Sequence, residues 1–280
     1  MTTKKFTFHA VVIGIDAYRD NRIPPLSCAA SDARAVSELF RSRICADEVD
    51  VKLLVDHDAT KDRVTEAIAE TLADKAETND SVFLYFAGHG SPERRSPGDQ
   101  DKSYLILHDT NYDRIYSTGI NVENTVMDWL HDRLCSDLVV FCLDACFSGT
   151  TGGRGFAGPT HQTYRRDYHS NAPISLRDLK LGRGRTILAA ANAHQPALES
   201  DQYGHGVFTY HLLGELRQPP SVRGLIGIGT LFDRVSRAVA RETGDKQTPI
   251  LNGTLELAAL PLLGSNGSHA ITDDTSNCAT

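Results

Sequence analysis

Two short stretches of the chain carry side chains able to do covalent chemistry. Residues 81–91 read SVFLYFAGHGS, an oily run that stops on His89 held between two glycines. Residues 138–150 read LVVFCLDACFSGT, a second oily run that delivers Cys146 just past its end. If both runs are parallel strands, both side chains emerge on the same rim of one sheet. An imidazole there can take the thiol proton, and the resulting ion pair stabilises a thiolate nucleophile. Gly90 has no Cβ, so its backbone can approach a substrate closely. The N–H groups of Gly90 and Cys146 are the candidates for an oxyanion hole. Alone, a histidine after a strand is ordinarily a turn residue, and a buried cysteine is ordinarily packing. It is the pair, in Gly-His-Gly and Asp-Ala-Cys contexts, that points to chemistry.

The elements that must position this pair alternate along the chain. Strand-like runs fall at 9–16, 49–56, 81–87, 103–109, 137–144, 185–192 and 248–257. Helical periodicity falls at 29–40, 61–76, 122–134, 206–217 and 229–243, with Val64, Ile68 and Leu72 recurring every four residues. Strand–helix alternation predicts an α/β fold whose central sheet is mostly parallel, with helices on both faces. In such sheets ligands bind beyond the carboxyl ends of the strands, where His89 and Cys146 fall. Residues 148–184 are rich in Gly and Arg and show no period. A single domain over 1–263 is expected, followed by a disordered polar tail over 264–280.

Bulk properties narrow the function classes. The 280 residues carry a net charge of −7 and no basic stripe, which argues against nucleic acid as the main partner. No apolar run approaches the ~20 residues needed to cross a bilayer, and the N-terminus lacks a cleavage site, so no membrane association is expected. The six cysteines (28, 45, 135, 142, 146 and 278) form no CxxC pair, which suits a reducing, cytoplasmic setting. The sequons at Asn252 and Asn266 are then accidental.

YFAGHGS and LDACFSG together resemble the caspase-fold cysteine peptidases, the group of caspases, metacaspases and paracaspases. The caspase pattern places a histidine about 50 residues before Gln-Ala-Cys; here the interval is 57 residues. VVIGIDAY with LSCAASDARAVSELF is similar to the first strand and helix of metacaspases and bacterial caspase-like proteins. GHGVFTYHLLGEL and DKQTPILNGTLEL are similar to their C-terminal portion, so the resemblance spans residues 8–258. It implies a caspase-like sandwich with a sheet of about six strands. It also implies peptide-bond hydrolysis through a thioester, with Cys146 as nucleophile, His89 as general base and later acid, and no carboxylate third member.

The chain departs from caspases in having Asp144, not Gln, two residues before the cysteine. By the resemblance to metacaspases and paracaspases, Asp144 lines the S1 pocket and Asp32 is a second acid there. Such a pocket favours arginine over lysine after which to cut, and repels aspartate. Without the resemblance, Asp144 is a turn former and Asp32 a solvated charge in a first helical turn. Glu199 is a candidate for a further acid at the rim, but it reads best as an exposed loop charge. The alternatives to a basic-specific endopeptidase are a non-catalytic scaffold of the same fold, and a family protease with another P1 residue, such as asparagine.

Control is expected from self-processing, calcium or a separate partner, such as an upstream protease or regulator, because few residues precede the first strand and no further domain comes after the core. Within 148–184, the resemblance makes Arg166 and Arg183 candidates for self-cleavage, with other basic residues of the loop behind them. Asp99 and Asp101 are weak calcium candidates, since Ca²⁺ wants 6–8 oxygen ligands; otherwise no cofactor is expected. The expected partners are protein substrates with a basic P1 residue. The expected state is a monomer, and a place in defence or cell death is suggested by analogy alone.

Overall fold

The structure is a computed structural model that describes residues 5–93, 101–148, 153–156, 158–159, 176–219, 225–253 and 259–261. Six strands build the central sheet: β1 (Thr7–Gly14), β2 (Glu48–Val55), β3 (Ser81–Ala87), β4 (Leu138–Asp144), β5 (Arg185–Ala189) and β6 (Ile250–Gly253). Their spatial order is β6-β5-β4-β3-β1-β2. Every pairing is parallel except the antiparallel edge pair β5–β6. The parallel strands are covered on both faces, which is why they read as continuous oily runs rather than alternating ones.

Alternation survives in where side chains go. Phe8, Ala10 and Val12 of β1 enter one core, while Val11 and Ile13 enter the other. The first core is closed by α1 (Ala29–Arg43), α4 (Val207–Arg217) and α5 (Ile228–Thr243). The second is closed by two helical segments, α2 (61–75) and α3 (122–133), through Val64, Ile68, Leu72, Val126 and Trp129. Phe40 of α1 ties helix to sheet, its ring 5.2 Å from that of Phe8 and 4.8 Å from that of Phe83, both edge-on.

The expected strand over 103–109 does not join this sheet. Lys102–Leu105 pairs antiparallel with Gly90–Glu93 and with Ile120–Asn121 in a separate three-stranded piece. The chain turns out of the sheet at His89, so the next residues can pair only with a neighbour on the rim. Of the strand expected over 248–257, residues 250–253 are strand and 254–258 lie outside the described residues, as does the tail from 262 onward.

The strand order reverses at β1, whose neighbours β2 and β3 continue in opposite directions. At such a switch point the loops leaving adjacent carboxyl ends diverge and open a crevice. Asp16, just past β1, fixes the wall of that crevice: its carboxylate accepts from the N–H groups of Ala29 (2.7 Å) and Ala30 (3.1 Å) at the start of α1.

Phe40→Ala should lower unfolding free energy by about 3–5 kcal/mol, because a fully buried aromatic leaves a cavity between helix and sheet. Urea denaturation checks this; an unchanged midpoint would mean that α1 is not seated on the sheet as described.

Candidate active site

β3 and β4 are adjacent and parallel, and Ala87 pairs with Asp144 at their carboxyl ends. His89 and Cys146 therefore leave the same rim one strand spacing apart, both buried. His89 Nε2 lies 2.8 Å from the carbonyl oxygen of Pro24. A carbonyl only accepts, so Nε2 carries the proton and Nδ1 is left with its lone pair. Nδ1 is buried and has no hydrogen-bond partner. The thiol of Cys146 donates to the Gln195 carbonyl at 3.0 Å and contacts Ser148 Oγ at 2.8 Å. No hydrogen bond joins thiol to imidazole, and Nδ1 is the free base that can receive its proton.

Burial pushes the His89 pKa down to about 4, the Pro24 carbonyl pulls the other way, and the nearby Arg154 charge lowers it further. At neutral pH the ring is uncharged.

The N–H groups of Gly90 and Cys146 converge on a single acceptor, the carbonyl oxygen of Arg154, at 3.1 and 3.0 Å. Gly90 must lack a Cβ here, since one would sit 2.5 Å from the carbonyl oxygen of Cys146. Arg154 comes eight residues after Cys146, and its own N–H donates to the Ala197 carbonyl at 2.9 Å. Its side chain is fully buried in a cage of acids. Nη1 is 2.7 Å from Asp144 Oδ2, Nη2 is hydrogen-bonded to Asp32 Oδ2, and Nε and Nη2 lie 3.3 Å from Glu199 Oε1.

The cage is itself braced. Thr209 Oγ1 donates to Asp144 Oδ2 at 2.6 Å and is 2.6 Å from the Tyr85 hydroxyl. Asp32 also accepts from His205 Nδ1 (2.6 Å) and from the Gly206 N–H (3.0 Å). Glu199 accepts from the N–H groups of Ser27 and Cys28, both at 3.1 Å. Burial raises the Asp144 pKa against the pull of the Arg154 charge.

The structure thus brings together Cys146, His89, Gly90, Asp32 and Asp144. Asp32 is buried in the pocket, not a solvated charge on a helix. Glu199, expected as an exposed loop charge, is a third acid of the cage; its place depends on amides 171 and 172 residues away in sequence. Arg154 does not stand out in the sequence as an individual residue, because the Gly-rich stretch around it has no period. The available signal is its setting, an arginine flanked by glycines like His89.

Arg183, expected as a self-cleavage candidate, lies exposed in the turn before β5, at the amino end of that strand. That is the rim opposite Cys146, so Arg183 is not placed for the chain's own site. Arg166 lies outside the described residues, as does Asp99. Asp101 is fully buried beside the strand Lys102–Leu105. Among the described residues no group of three His, Cys, Asp or Glu side chains is arranged to hold a metal ion. Also among them, no helix is long and apolar enough to cross a membrane.

The depressed His89 pKa has a consequence for stability. The unfolded imidazole binds a proton below about 6.5, the folded one only below about 4. Stability present above pH 6.5 is therefore lost as pH falls toward 4, by about 3 kcal/mol. Urea melts of Cys146→Ala and of Cys146→Ala/His89→Gln across that window should show the steeper loss in the protein that keeps His89. Equal slopes would contradict the buried, neutral ring.

A search of curated proteins finds no match. A solved structure of a protein from Geobacter sulfurreducens superposes with a TM-score of 0.62 at 19% identity, over 89% of this chain and 94% of that one. At that identity the likeness shows the fold. The model of the family described as "Caspase domain" matches residues 7–259, which takes in every element that forms the rim. The chain belongs to the caspase-domain family of cysteine peptidases.

Proposed function

We propose that the protein is a cysteine endopeptidase that cuts after basic residues, arginine before lysine, with Cys146 as nucleophile and His89 as base and acid. The observation that carries the reading is the acid cage beside Cys146, which encloses a whole guanidinium. Asp32 and Asp144 each engage one terminal nitrogen of that group, and Glu199 spans Nε and Nη2. A planar fork satisfies these directions together, whereas a lysine ammonium presents one point charge. An aspartate side chain there would face up to three carboxylates.

The arrangement of the rim supports this course of reaction. His89 Nδ1 takes the Cys146 proton, and sulfur attacks the carbonyl carbon of the P1 residue. The developing oxyanion lies where the N–H groups of Gly90 and Cys146 already converge. The imidazolium then protonates the leaving amine, and water releases the acyl group from the thioester with His89 acting as base. The Pro24 carbonyl holds the Nε2–H tautomer that this sequence of proton transfers requires.

Matched fluorogenic peptides ending in Arg, Lys or Asp should be hydrolysed in that order, with the Asp peptide at least about 10²-fold slower than the Arg peptide. Faster turnover of the Asp peptide would sink the pocket assignment. Cys146→Ala should abolish hydrolysis, and a thiol-reactive Arg-peptide probe should label Cys146. No labelling in any state would favour a non-catalytic scaffold. Asp144→Asn should lower kcat/KM for the Arg peptide by about 10²-fold, because a bound guanidinium loses one buried partner.

A further inference from the structure

The loop that follows β1 grips His89 twice. The Pro24 carbonyl takes the proton on Nε2. Tyr18, in the same loop, takes the backbone N–H of His89 on its hydroxyl at 2.9 Å. That hydroxyl in turn donates to the Ile15 carbonyl oxygen at 3.3 Å. Burial raises its pKa, so it keeps the proton it donates. The Tyr18 ring also lies 5.3 Å from the His89 ring, tilted by 32°.

The sheet explains where this hydroxyl sits. In a parallel ladder, a residue donates to one residue of the neighbouring strand and accepts from the residue two further on. Gly14 and Ala87 are the last pair of β1 and β3. Just beyond them, the Ile15 N–H still reaches the Ala87 carbonyl at 3.0 Å. The bond that would complete this rung runs from the His89 N–H to the Ile15 carbonyl. The Tyr18 hydroxyl stands in that gap, accepting from the one and donating to the other. It keeps the strands apart by one oxygen atom where His89 leaves the sheet.

The main chain on either side is held as well. The Gly88 N–H donates to the Asp144 carbonyl at 3.3 Å, the Ile106 N–H to the His89 carbonyl at 3.0 Å, and the Gly90 N–H to the Arg154 carbonyl at 3.1 Å. Among these partners only the Tyr18 hydroxyl comes from a side chain. Packing against the imidazole would need the Tyr18 ring alone; the inserted rung needs the oxygen.

Resting on the peptidase reading above, we propose that Tyr18 is a positioning residue for catalysis, whose hydroxyl replaces one bond of the β1–β3 ladder and so sets where His89 stands relative to Cys146 and how the Gly90 N–H is aimed. Tyr18→Phe keeps the ring and removes the rung. The His89 N–H then closes directly on Ile15 or goes without a partner, and the imidazole shifts in either case. A misplacement of about 1 Å can cost about 10²-fold in rate.

The test compares full-length wild type with Tyr18→Phe in Arg-peptide kinetics and in imidazole nitrogen NMR, with the His89 signals assigned by their loss in His89→Gln. In Tyr18→Phe, kcat should fall at least about tenfold while KM stays within about twofold, because the hydroxyl places catalytic groups and does not bind substrate. Wild-type His89 should show the Nε2–H tautomer at neutral pH. In Tyr18→Phe its two nitrogen signals should move toward a common average while those of the other histidines hold, which separates misplacement from misfolding. Unchanged kcat, a loss confined to KM, or unchanged His89 signals would each overturn the inference and leave the peptidase reading standing. Shifted His89 signals in a protein whose wild type hydrolyses no peptide would remove the peptidase reading and still support the placing of His89 by Tyr18.

Discussion

The site is organised around one buried cation. Arg154 is out of contact with water and shares its guanidinium among Asp32, Asp144 and Glu199. Removing such charges from water costs several kcal/mol per ion, and only close pairing with hydrogen bonds on the remaining atoms offsets it. That constraint reaches far into the fold. Asp32 comes from α1, Asp144 from the end of β4, and Glu199 from the segment after β5, so the three elements must close together for the cluster to be tolerated. Tyr85, Thr209, His205 and the amides of Ser27, Cys28 and Gly206 form the outer layer that stabilises the arrangement. Three acids face one guanidinium, so the cage holds more carboxylates than cations.

The placing of His89 beside Cys146 depends on the same closure. His89 and Cys146 reach one rim because β3 and β4 are parallel neighbours, but the segment Arg154–Phe156 covers them both. The neutral imidazole, with its Nδ1 lone pair unused, reflects that cover: water is excluded, and the adjacent guanidinium disfavours a second positive charge. The resting geometry and the resting protonation state therefore share a cause.

Much of the frame is legible from the residues. The oily runs at 81–87 and 138–144 can be read as strands because both faces of a parallel sheet are buried, and the ends of those strands mark His89 and Cys146. Helix periodicity works for α1, α4 and α5, where one stripe faces the core. Reading fails where pairing is decided by the rim rather than by the local pattern. The run 103–109 has strand composition, yet only its first part is strand, and that part pairs outside the main sheet. Nothing in 250–253 announces an antiparallel edge strand either.

What the sequence determined by itself is the chemistry available: a thiol and an imidazole at two strand ends, glycine where a backbone must approach, and acids near the cysteine. Those arise from local rules of composition and period. What only the tertiary structure decided is which charges meet. Glu199 became part of the cage through amides at the start of α1, and Arg154 became its occupant through a turn in a stretch without period. Electrostatic partners across 45 to 173 residues of chain leave no local signature, because the energy that selects them exists only once the surrounding elements have excluded water.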